Sequence, residues 1–268
     1  MRIGVPTEVK PLEGRVGLIP AACAGLVKAG HEVFIQTGAG VKSGYPDEQY
    51  EKVGVEVVAD AAAAYGRSEM VVKVKEPVAA DLEHIRADHL LFCYLHLAAL
   101  PELTRQLCDI GCTAVAFETV EDAAGRLPLL APMSDIAGRL AIQVGTHLLH
   151  QPQGGKGILI GGIPAAKRGK VVILGGGVAG GNSAVVAAGL GAEVTVIEFL
   201  DAVCPGMDAE IQKTFQRTLK KQGLKFVMGA AVQGVKVTKG KAKVTYKLRK
   251  NDKEESVSYT HLTLPTTS

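Results

Sequence analysis

Three polar side chains in the first hundred positions could bind and convert a small anion. Arg15 follows a Glu-Gly pair, and Lys75 and His96 each follow a short apolar run. A guanidinium group binds a carboxylate through two parallel hydrogen bonds, and an ammonium group adds a compact positive charge. An imidazole transfers protons near neutral pH. Together these residue types predict a site for a small carboxylate substrate whose conversion involves proton transfer.

Each of the three residues also has an ordinary structural interpretation. Arg15 can be a solvated surface charge, and Lys75 can be a strand-end cation beside Glu76. His96 can be a histidine whose ring nitrogens bond to backbone carbonyls. The functional hypothesis depends on their shared position, because open α/β sheets bind ligands at the carboxyl ends of their parallel strands.

A glycine-rich loop later in the chain is typical of dinucleotide binding. The segment Gly175-Gly176-Gly177-Val178-Ala179-Gly180 follows an apolar strand and precedes a helix. Its glycines allow a tight turn, a close approach of the backbone to a pyrophosphate, and close packing of the helix. We expect Gly175, Gly177, Val178, Ala179 and Gly180 to bind the cofactor. The alternative is a glycine-rich turn that holds no ligand.

An acidic residue after the next strand indicates which dinucleotide binds. Glu198 lies 18 residues after Gly180, where a carboxylate can accept hydrogen bonds from the ribose hydroxyls of the adenosine. This position predicts NAD rather than NADP.

The elements that must position these residues alternate between strand and helix, which predicts an α/β protein with doubly wound parallel sheets. Strands are predicted at 32–37, 55–58, 70–74, 89–95 and 112–117, and helices near 21–29, 59–65 and 101–110. A long helix is predicted to begin at Ser134 as its N-cap and to end near Gln151. We expect a substrate domain over residues 1–130 and a Rossmann-type domain over residues 131–256.

The second domain is predicted to change character after its second strand. Strands at 170–174, 193–197 and 224–227, a helix over 208–222 and a hairpin over 235–248 follow from the hydrophobic pattern. Residues 211–256 hold 13 Lys and Arg against 3 Asp and Glu, which leaves the rest of the chain with a net charge of −7. Residues 257–268 are uncharged and rich in threonine, and we expect them to be disordered.

Composition excludes several classes of protein. The chain has 268 residues, of which 47% are hydrophobic, yet none of its apolar runs has the roughly 18 residues of a membrane-spanning helix. A proline and a glutamate near the start are atypical of a secretory signal, so we expect a cytoplasmic protein. Five scattered cysteines predict free thiols rather than disulfides or a metal site. The basic residues alternate with apolar ones as on a solvated strand, so nucleic acid is not an expected partner.

Six segments over residues 1 to about 198 form a recognisable series. They are Met1-Arg2-Ile3-Gly4-Val5-Pro6, Glu13-Gly14-Arg15-Val16, Lys73-Val74-Lys75-Glu76-Pro77, Tyr94-Leu95-His96-Leu97, Leu129-Leu130-Ala131-Pro132-Met133-Ser134 and the Gly175 loop. In order and in spacing they resemble alanine dehydrogenases. The related transhydrogenase α subunits share the fold and the glycine loop but typically lack the Tyr-Leu-His-Leu segment.

The resemblance implies a role for each candidate residue. Arg15 and Lys75 hold the substrate carboxylate, Lys75 also acts in catalysis, and His96 is the acid–base group. Ser134 contacts the cofactor, and Glu198 stands where the family usually has aspartate. The implied reaction is the NAD-dependent oxidative deamination of L-alanine to pyruvate and ammonia, an oxidoreductase activity of amino-acid metabolism. The implied assembly is a homo-hexamer.

From about residue 194 to 256 the chain resembles the NAD-binding domain of dihydrolipoamide dehydrogenase instead. That enzyme's FAD fingerprint and redox cysteine pair do not occur in this sequence, so no FAD is expected. Residues 260–268 resemble translated sequencing-adapter sequence. We therefore expect a chimeric chain in which the second domain is a hybrid, without the family's catalytic aspartate and returning helices. A non-catalytic NAD-binding fragment and a transhydrogenase α-like nucleotide-binding protein are the open alternatives.

Overall fold

A computed structural model describes residues 1–205, 207, 209–238 and 241–259. The chain forms two compact units, of which the first spans Met1–Glu121 and the second begins at Asp122. In the described part of the chain, no helix is long and apolar enough to cross a membrane.

The first unit contains a six-stranded, entirely parallel sheet. Its strands are β1 (Arg2–Val5), β2 (Glu32–Gln36), β3 (Glu56–Val58), β4 (Met70–Val72), β5 (Leu90–Cys93) and β6 (Thr113–Ala116). They lie in the order β3-β2-β1-β4-β5-β6, which confirms the predicted α/β class. The strand order reverses between β1 and β4, so the carboxyl ends of these two strands flank the crevice in which such sheets bind ligands.

Helices connect the strands and have recognisable boundaries. They are α1 (Pro20–Lys28), α2 (Asp47–Glu51), α3 (Ala61–Arg67), α4 (Ala79–Leu82) and α5 (Pro101–Ile110). The Asp60 side chain caps α3 by accepting a hydrogen bond of 2.8 Å from the Ala63 amide. Pro101 starts α5, and Gly111, with φ of 78°, ends it.

The second unit contains a Rossmann-like half with three parallel strands in the order β7-β8-β9. Its elements are α6 (Ala131–Leu148), β7 (Lys170–Leu174), α7 (Val178–Gly189), β8 (Glu193–Ile197), α8 (Ala209–Lys221) and β9 (Lys225–Val227). Buried Ile142 of α6 packs in one core cluster with Ile173 and Val194. This further parallel sheet agrees with the α/β class predicted for the second domain.

The start of α6 corrects the sequence-based prediction for Ser134. The helix begins at Ala131 with Leu130 as its N-cap, so Ser134 lies inside the helix and is not its cap. Pro132 favours this earlier start because its fixed φ suits the first helical turn. The Ser134 amide donates to the Leu130 carbonyl over 3.2 Å.

A three-stranded antiparallel sheet completes the described part of the second unit. Its strands are β10 (Ala230–Thr238), β11 (Lys241–Leu248) and β12 (Glu254–Tyr259). The sequence predicted disorder from residue 257, but residues 257–259 belong to β12, because Val257 pairs with Val244 of β11. The rest of the predicted tail, residues 260–268, lies outside the described residues. So do residues 206, 208, 239 and 240, including the first residue of the predicted helix 208–222.

Candidate functional site

Arg15 lies on the segment between β1 and α1, where it is paired with Glu13. Its Nε and Nη2 atoms donate to the two Glu13 oxygens over 2.9 and 2.7 Å, and its backbone amide donates to Oε1 over 2.9 Å. The hydrogen bonds from Arg15 lower the pKa of Glu13 to about 2. Glu13 therefore occupies the edge formed by Nε and Nη2 and fixes the orientation of the guanidinium group.

Lys75 lies on the loop after β4, and a carboxylate from another part of the sheet edge fixes its backbone. The Glu8 Oε1 atom accepts hydrogen bonds from the Val74 and Lys75 amides over 2.6 and 3.3 Å. The positive charge of Lys75 also helps to lower the pKa of Glu13, so the ammonium group is close enough to act on the Glu13–Arg15 pair. Among the described residues, no ion pair includes Lys75. Two cations therefore converge at this edge.

A buried network of charges anchors the same loop. The Lys73 side chain is 1% exposed, and its Nζ atom lies 3.0 Å from Asp81 Oδ1 and 3.8 Å from Glu8 Oε2. The Tyr65 hydroxyl donates to Asp81 Oδ1 over 2.9 Å. Burial raises the pKa of Glu8, and the charge of Lys73 opposes that rise. The network ties the loop that carries Lys75 to the segment after β1 and to α4.

His96 follows β5 in a conformation that is uncommon for a residue with a side chain. Its φ of 51° lies in the left-handed region, which marks a backbone held in place by its surroundings. Glu118 supplies part of that constraint, since its Oε1 atom accepts hydrogen bonds from the His96 and Leu95 amides over 2.6 and 3.2 Å. The ring stacks against Tyr94 at a centroid distance of 5.9 Å, and Nδ1 lies 3.4 Å from Glu76 Oε2.

The structure brings the three sequence-predicted residues of the first unit to one edge of the sheet. Tyr94 connects two of them, because its ring stacks on His96 while the charge of Arg15 acts on the Tyr94 phenol. Sequence reasoning missed the carboxylates that hold them, namely Glu8, Glu13, Glu76 and Glu118. Only Glu13 and Glu76 left a signal, since each lies within two residues of a predicted cation.

The glycine loop in the second unit has the shape that a dinucleotide requires. Gly175 has a φ of 102°, and a Cβ atom on Gly180 would lie 1.9 Å from the Gly175 carbonyl oxygen, so neither position suits another residue. Gly177 precedes α7 as its N-cap, and a Cβ atom there would meet nothing within 4 Å. Open space beside the N-terminus of a 12-residue helix fits a pyrophosphate.

Glu198 directly follows β8 and contacts this loop. Its side chain is buried, with Oε2 accepting a hydrogen bond from the Gly176 amide and Oε1 accepting one of 2.7 Å from the Leu200 amide. Each carboxylate oxygen has a second lone pair, so Glu198 can shape the loop and still accept a ribose hydroxyl.

Ser134 lies one helical turn before Gly138 on the same face of α6. A Cβ atom on Gly138 would lie 2.3 Å from the Ala179 carbonyl oxygen, so α6 and the start of α7 pack backbone to backbone. The Ser183 hydroxyl supports this contact by donating to the Gly138 carbonyl over 2.8 Å. The packing fixes the helix that carries Ser134 against the helix that follows the glycine loop.

Comparison with known proteins agrees with this geometry. Residues 4–137, half of the chain, match the family described as alanine dehydrogenase/PNT, N-terminal domain. The chain belongs to this family. A second match, to pyridine nucleotide-disulphide oxidoreductase, covers residues 170–254. In this alanine dehydrogenase/PNT family member the second match begins at residue 170, before the predicted change in sequence character at about residue 194.

Relatives of this family member include two bacterial alanine dehydrogenases. The one from Bacillus subtilis is 52% identical over 199 residues, and the one from Geobacillus stearothermophilus is 48% identical over 201 residues. Each match covers 74% of the chain but only 52% and 53% of the relative, so the chain spans about half the length of the curated relatives it matches.

Solved structures show the same relationship. An L-alanine dehydrogenase superposes with a TM-score of 0.73 at 48% identity, covering 85% of this chain and 60% of that protein. A transhydrogenase from Sinorhizobium meliloti superposes with a TM-score of 0.66, covering 87% and 62% respectively. At 23% identity the second likeness concerns the fold alone.

Proposed function

We propose that this chain is an NAD-dependent oxidoreductase that converts L-alanine, water and NAD⁺ to pyruvate, ammonium, NADH and a proton. The observation that carries the proposal is the convergence of Arg15, Lys75 and His96 at the carboxyl ends of the strands of the alanine dehydrogenase-type domain. The identity of the substrate is inferred from the relatives, which are alanine dehydrogenases.

Each side chain has a defined part in this reaction. Arg15 and Lys75 bind the substrate carboxylate, and Lys75 also donates a hydrogen bond to the oxygen of pyruvate. His96 holds and releases protons as water adds to the imine and ammonia departs. Their backbones are fixed by Glu13, Glu8 and Glu118 respectively, so little ordering remains to be done when the substrate binds.

The cofactor site in the proposal consists of Ser134, the loop Gly175–Gly180 and Glu198. The loop amides and the N-terminus of α7 would hold the pyrophosphate, and Glu198 would accept the ribose hydroxyls. Bound there, NAD would supply the hydride acceptor for the oxidation of the substrate. We keep residues 1–130 and 131–256 as the proposed functional domains, and the homo-hexamer and the cytoplasmic location as predictions.

A second candidate function follows from the length of the matches. The chain matches only about half of the length of the alanine dehydrogenases, and residues 170–254 of its second unit match pyridine nucleotide-disulphide oxidoreductases. The resemblance of residues 194–256 to dihydrolipoamide dehydrogenase supports a hybrid second domain. A chimeric chain of this kind binds NAD without oxidising alanine.

Two measurements on the purified chain separate these candidates. Titration into NADH, followed by nicotinamide fluorescence, tests the cofactor site, and alanine-dependent formation of NADH at 340 nm tests the chemistry. The first proposal expects both signals, and the second expects binding without turnover. Absence of both signals in a folded chain would overturn both.

The variant His96→Ala tests the assigned acid–base group. We expect turnover to fall by at least about 100-fold while NADH affinity stays the same, because His96 belongs to the substrate unit. His31→Ala is the matched control, since His31 precedes β2 and therefore lies at the amino end of the sheet, away from the site. Equal turnover in His96→Ala and in the unaltered chain would rule out this role.

A further inference from the structure

Glu76 places one buried side-chain oxygen beside His96. Among the described residues, Glu76 Oε2 has no hydrogen-bond partner, and His96 Nδ1 lies 3.4 Å away, at ion-pair distance. The other oxygen, Oε1, is taken by the ammonium group of Lys10. An unpaired buried carboxylate oxygen is costly, so its orientation toward an imidazole nitrogen needs a reason.

The charge state of Glu76 determines whether His96 Nδ1 must carry a proton. Burial alone would raise the pKa of Glu76, but the hydrogen bond from Lys10, a backbone amide and the neighbouring His96 lower it below its usual value. Glu76 is therefore an ionised carboxylate at neutral pH, and an ionised carboxylate only accepts hydrogen bonds. A favourable contact with His96 then requires a proton on Nδ1.

We propose that Glu76 is a positioning residue that keeps neutral His96 in its Nδ1–H tautomer, so that the lone pair of Nε2 faces the substrate as the proton acceptor. The catalytic meaning of this inference rests on the proposed function above, whereas the tautomer itself is a property of the chain without substrate. The contact is longer than an ideal hydrogen bond, as is common for catalytic pairs before substrate binds.

The rest of the surroundings hold the ring without competing for Nδ1. Glu118 uses its oxygens on the Leu95 and His96 amides, and Tyr94 contacts the ring by stacking. Lys10 is the cation that faces Glu76, and it fixes which carboxylate oxygen remains for His96. Backbone, ring plane and ring nitrogen are thus each constrained by a different side chain.

The inference is tested by nitrogen NMR of the whole chain labelled with ¹⁵N-histidine, at a pH about two units above the ordinary histidine pKa of ~6.5. The shifts of Nδ1 and Nε2 identify the protonated nitrogen, and the His96→Gln variant assigns the signals. We expect Nδ1–H in the unaltered chain. An Nε2–H tautomer, or an even mixture of the two, would overturn the inference.

The variant Glu76→Gln is expected to reverse the tautomer. Lys10 can only donate, so it selects the amide oxygen of the new side chain, and the NH₂ group then faces His96 Nδ1. A donor in that place requires a lone pair on Nδ1 and moves the proton to Nε2. Glu102→Gln on the exposed first turn of α5 is the matched control, and its spectrum should equal that of the unaltered chain.

Activity measurements distinguish this inference from the proposed function. If the chain oxidises alanine, Glu76→Gln should lower kcat by about tenfold or more with little change in KM for alanine, because a wrongly placed proton affects the chemical step. If the chain is inactive but His96 is the Nδ1–H tautomer, the proposed function is wrong and the inference stands. If the chain is active but Glu76→Gln leaves the His96 tautomer unchanged, only the inference is wrong. If Glu76→Gln does not fold, the tautomer measured in the unaltered chain tests the inference.

Discussion

The buried Lys73 network makes the stability of the first unit sensitive to a change of one atom. Asp81 accepts three hydrogen bonds, from Lys73 Nζ at 3.0 Å, from the Tyr65 hydroxyl at 2.9 Å and from the Val78 amide at 3.0 Å. In Asp81→Asn the amide oxygen can replace only one carboxylate oxygen. Its NH₂ group must then face either the Val78 amide or the two donors on the other side.

We expect Asp81→Asn to lower the free energy of unfolding by about 3–5 kcal/mol. The variant removes one of the two carboxylates at the buried Lys73 ammonium group and leaves Glu8, 3.8 Å away, as its charged partner. For a unit of this size the expected loss corresponds to a fall in Tm of roughly 12–20 °C, at about 4 °C per kcal/mol. Thermal unfolding followed by tyrosine fluorescence reports on this unit, since four of the six tyrosines precede residue 121.

The double variant Lys73→Met/Asp81→Asn tests whether the stranded charge causes that loss. Removal of the ammonium group should recover at least about 1 kcal/mol relative to Asp81→Asn alone, since a hydrophobic residue of similar length needs no counter-ion. A loss below about 1 kcal/mol in the single variant, or a double variant less stable than the single one, would refute the reasoning from buried charge.

Two further outcomes follow from the described contacts. Gly180→Ala should weaken NADH binding at least about tenfold, because its Cβ atom would lie 1.9 Å from the Gly175 carbonyl, whereas the control Gly189→Ala, which meets nothing within 4 Å, should leave the Kd unchanged in a fluorescence titration. Glu13→Gln should lower stability above pH 4.5, because the pKa of Glu13 falls from 4.5 to about 2 in the folded state. The stability gap to the unaltered chain in urea unfolding should then narrow as the pH falls from 4.5 toward 2, and a gap that widens would contradict the pairing with Arg15.

Sequence periodicity located most of the strands that position the site, with some boundary errors of one or two residues. The predicted strand at 70–74 ends at Val72, so Lys73, Val74 and Lys75 belong to a loop. The apolar pattern could not mark that end, because Lys73 is itself buried and Val74, the next residue, is apolar and buried too. β1 also escaped prediction, since four residues after the initial methionine are too few for a periodic signal.

The parts of the candidate site that lie in one short sequence motif could be predicted. The carboxylates that hold the site residues from positions distant in the sequence could not. The Gly175 loop and Glu198 are read from one βαβ unit, so spacing alone finds them. Glu8 binds the backbone of Lys75 from 67 residues away, and Glu118 binds that of His96 from 22 residues away. Nothing in a single sequence joins such pairs, because they meet only after the sheet has formed.

The long-range carboxylates explain why the strained backbone of His96 persists. A left-handed conformation at a residue with a side chain costs of order 1–3 kcal/mol, which the hydrogen bonds from the Leu95 and His96 amides to Glu118 can offset. Glu118 lies just beyond β6, and β6 pairs with β5 in parallel register, so the imidazole acquires its position only once the last strand of the sheet is in place. Sheet completion and site assembly are therefore one event, and a variant that frays β6 should disorder His96 before it exposes the core.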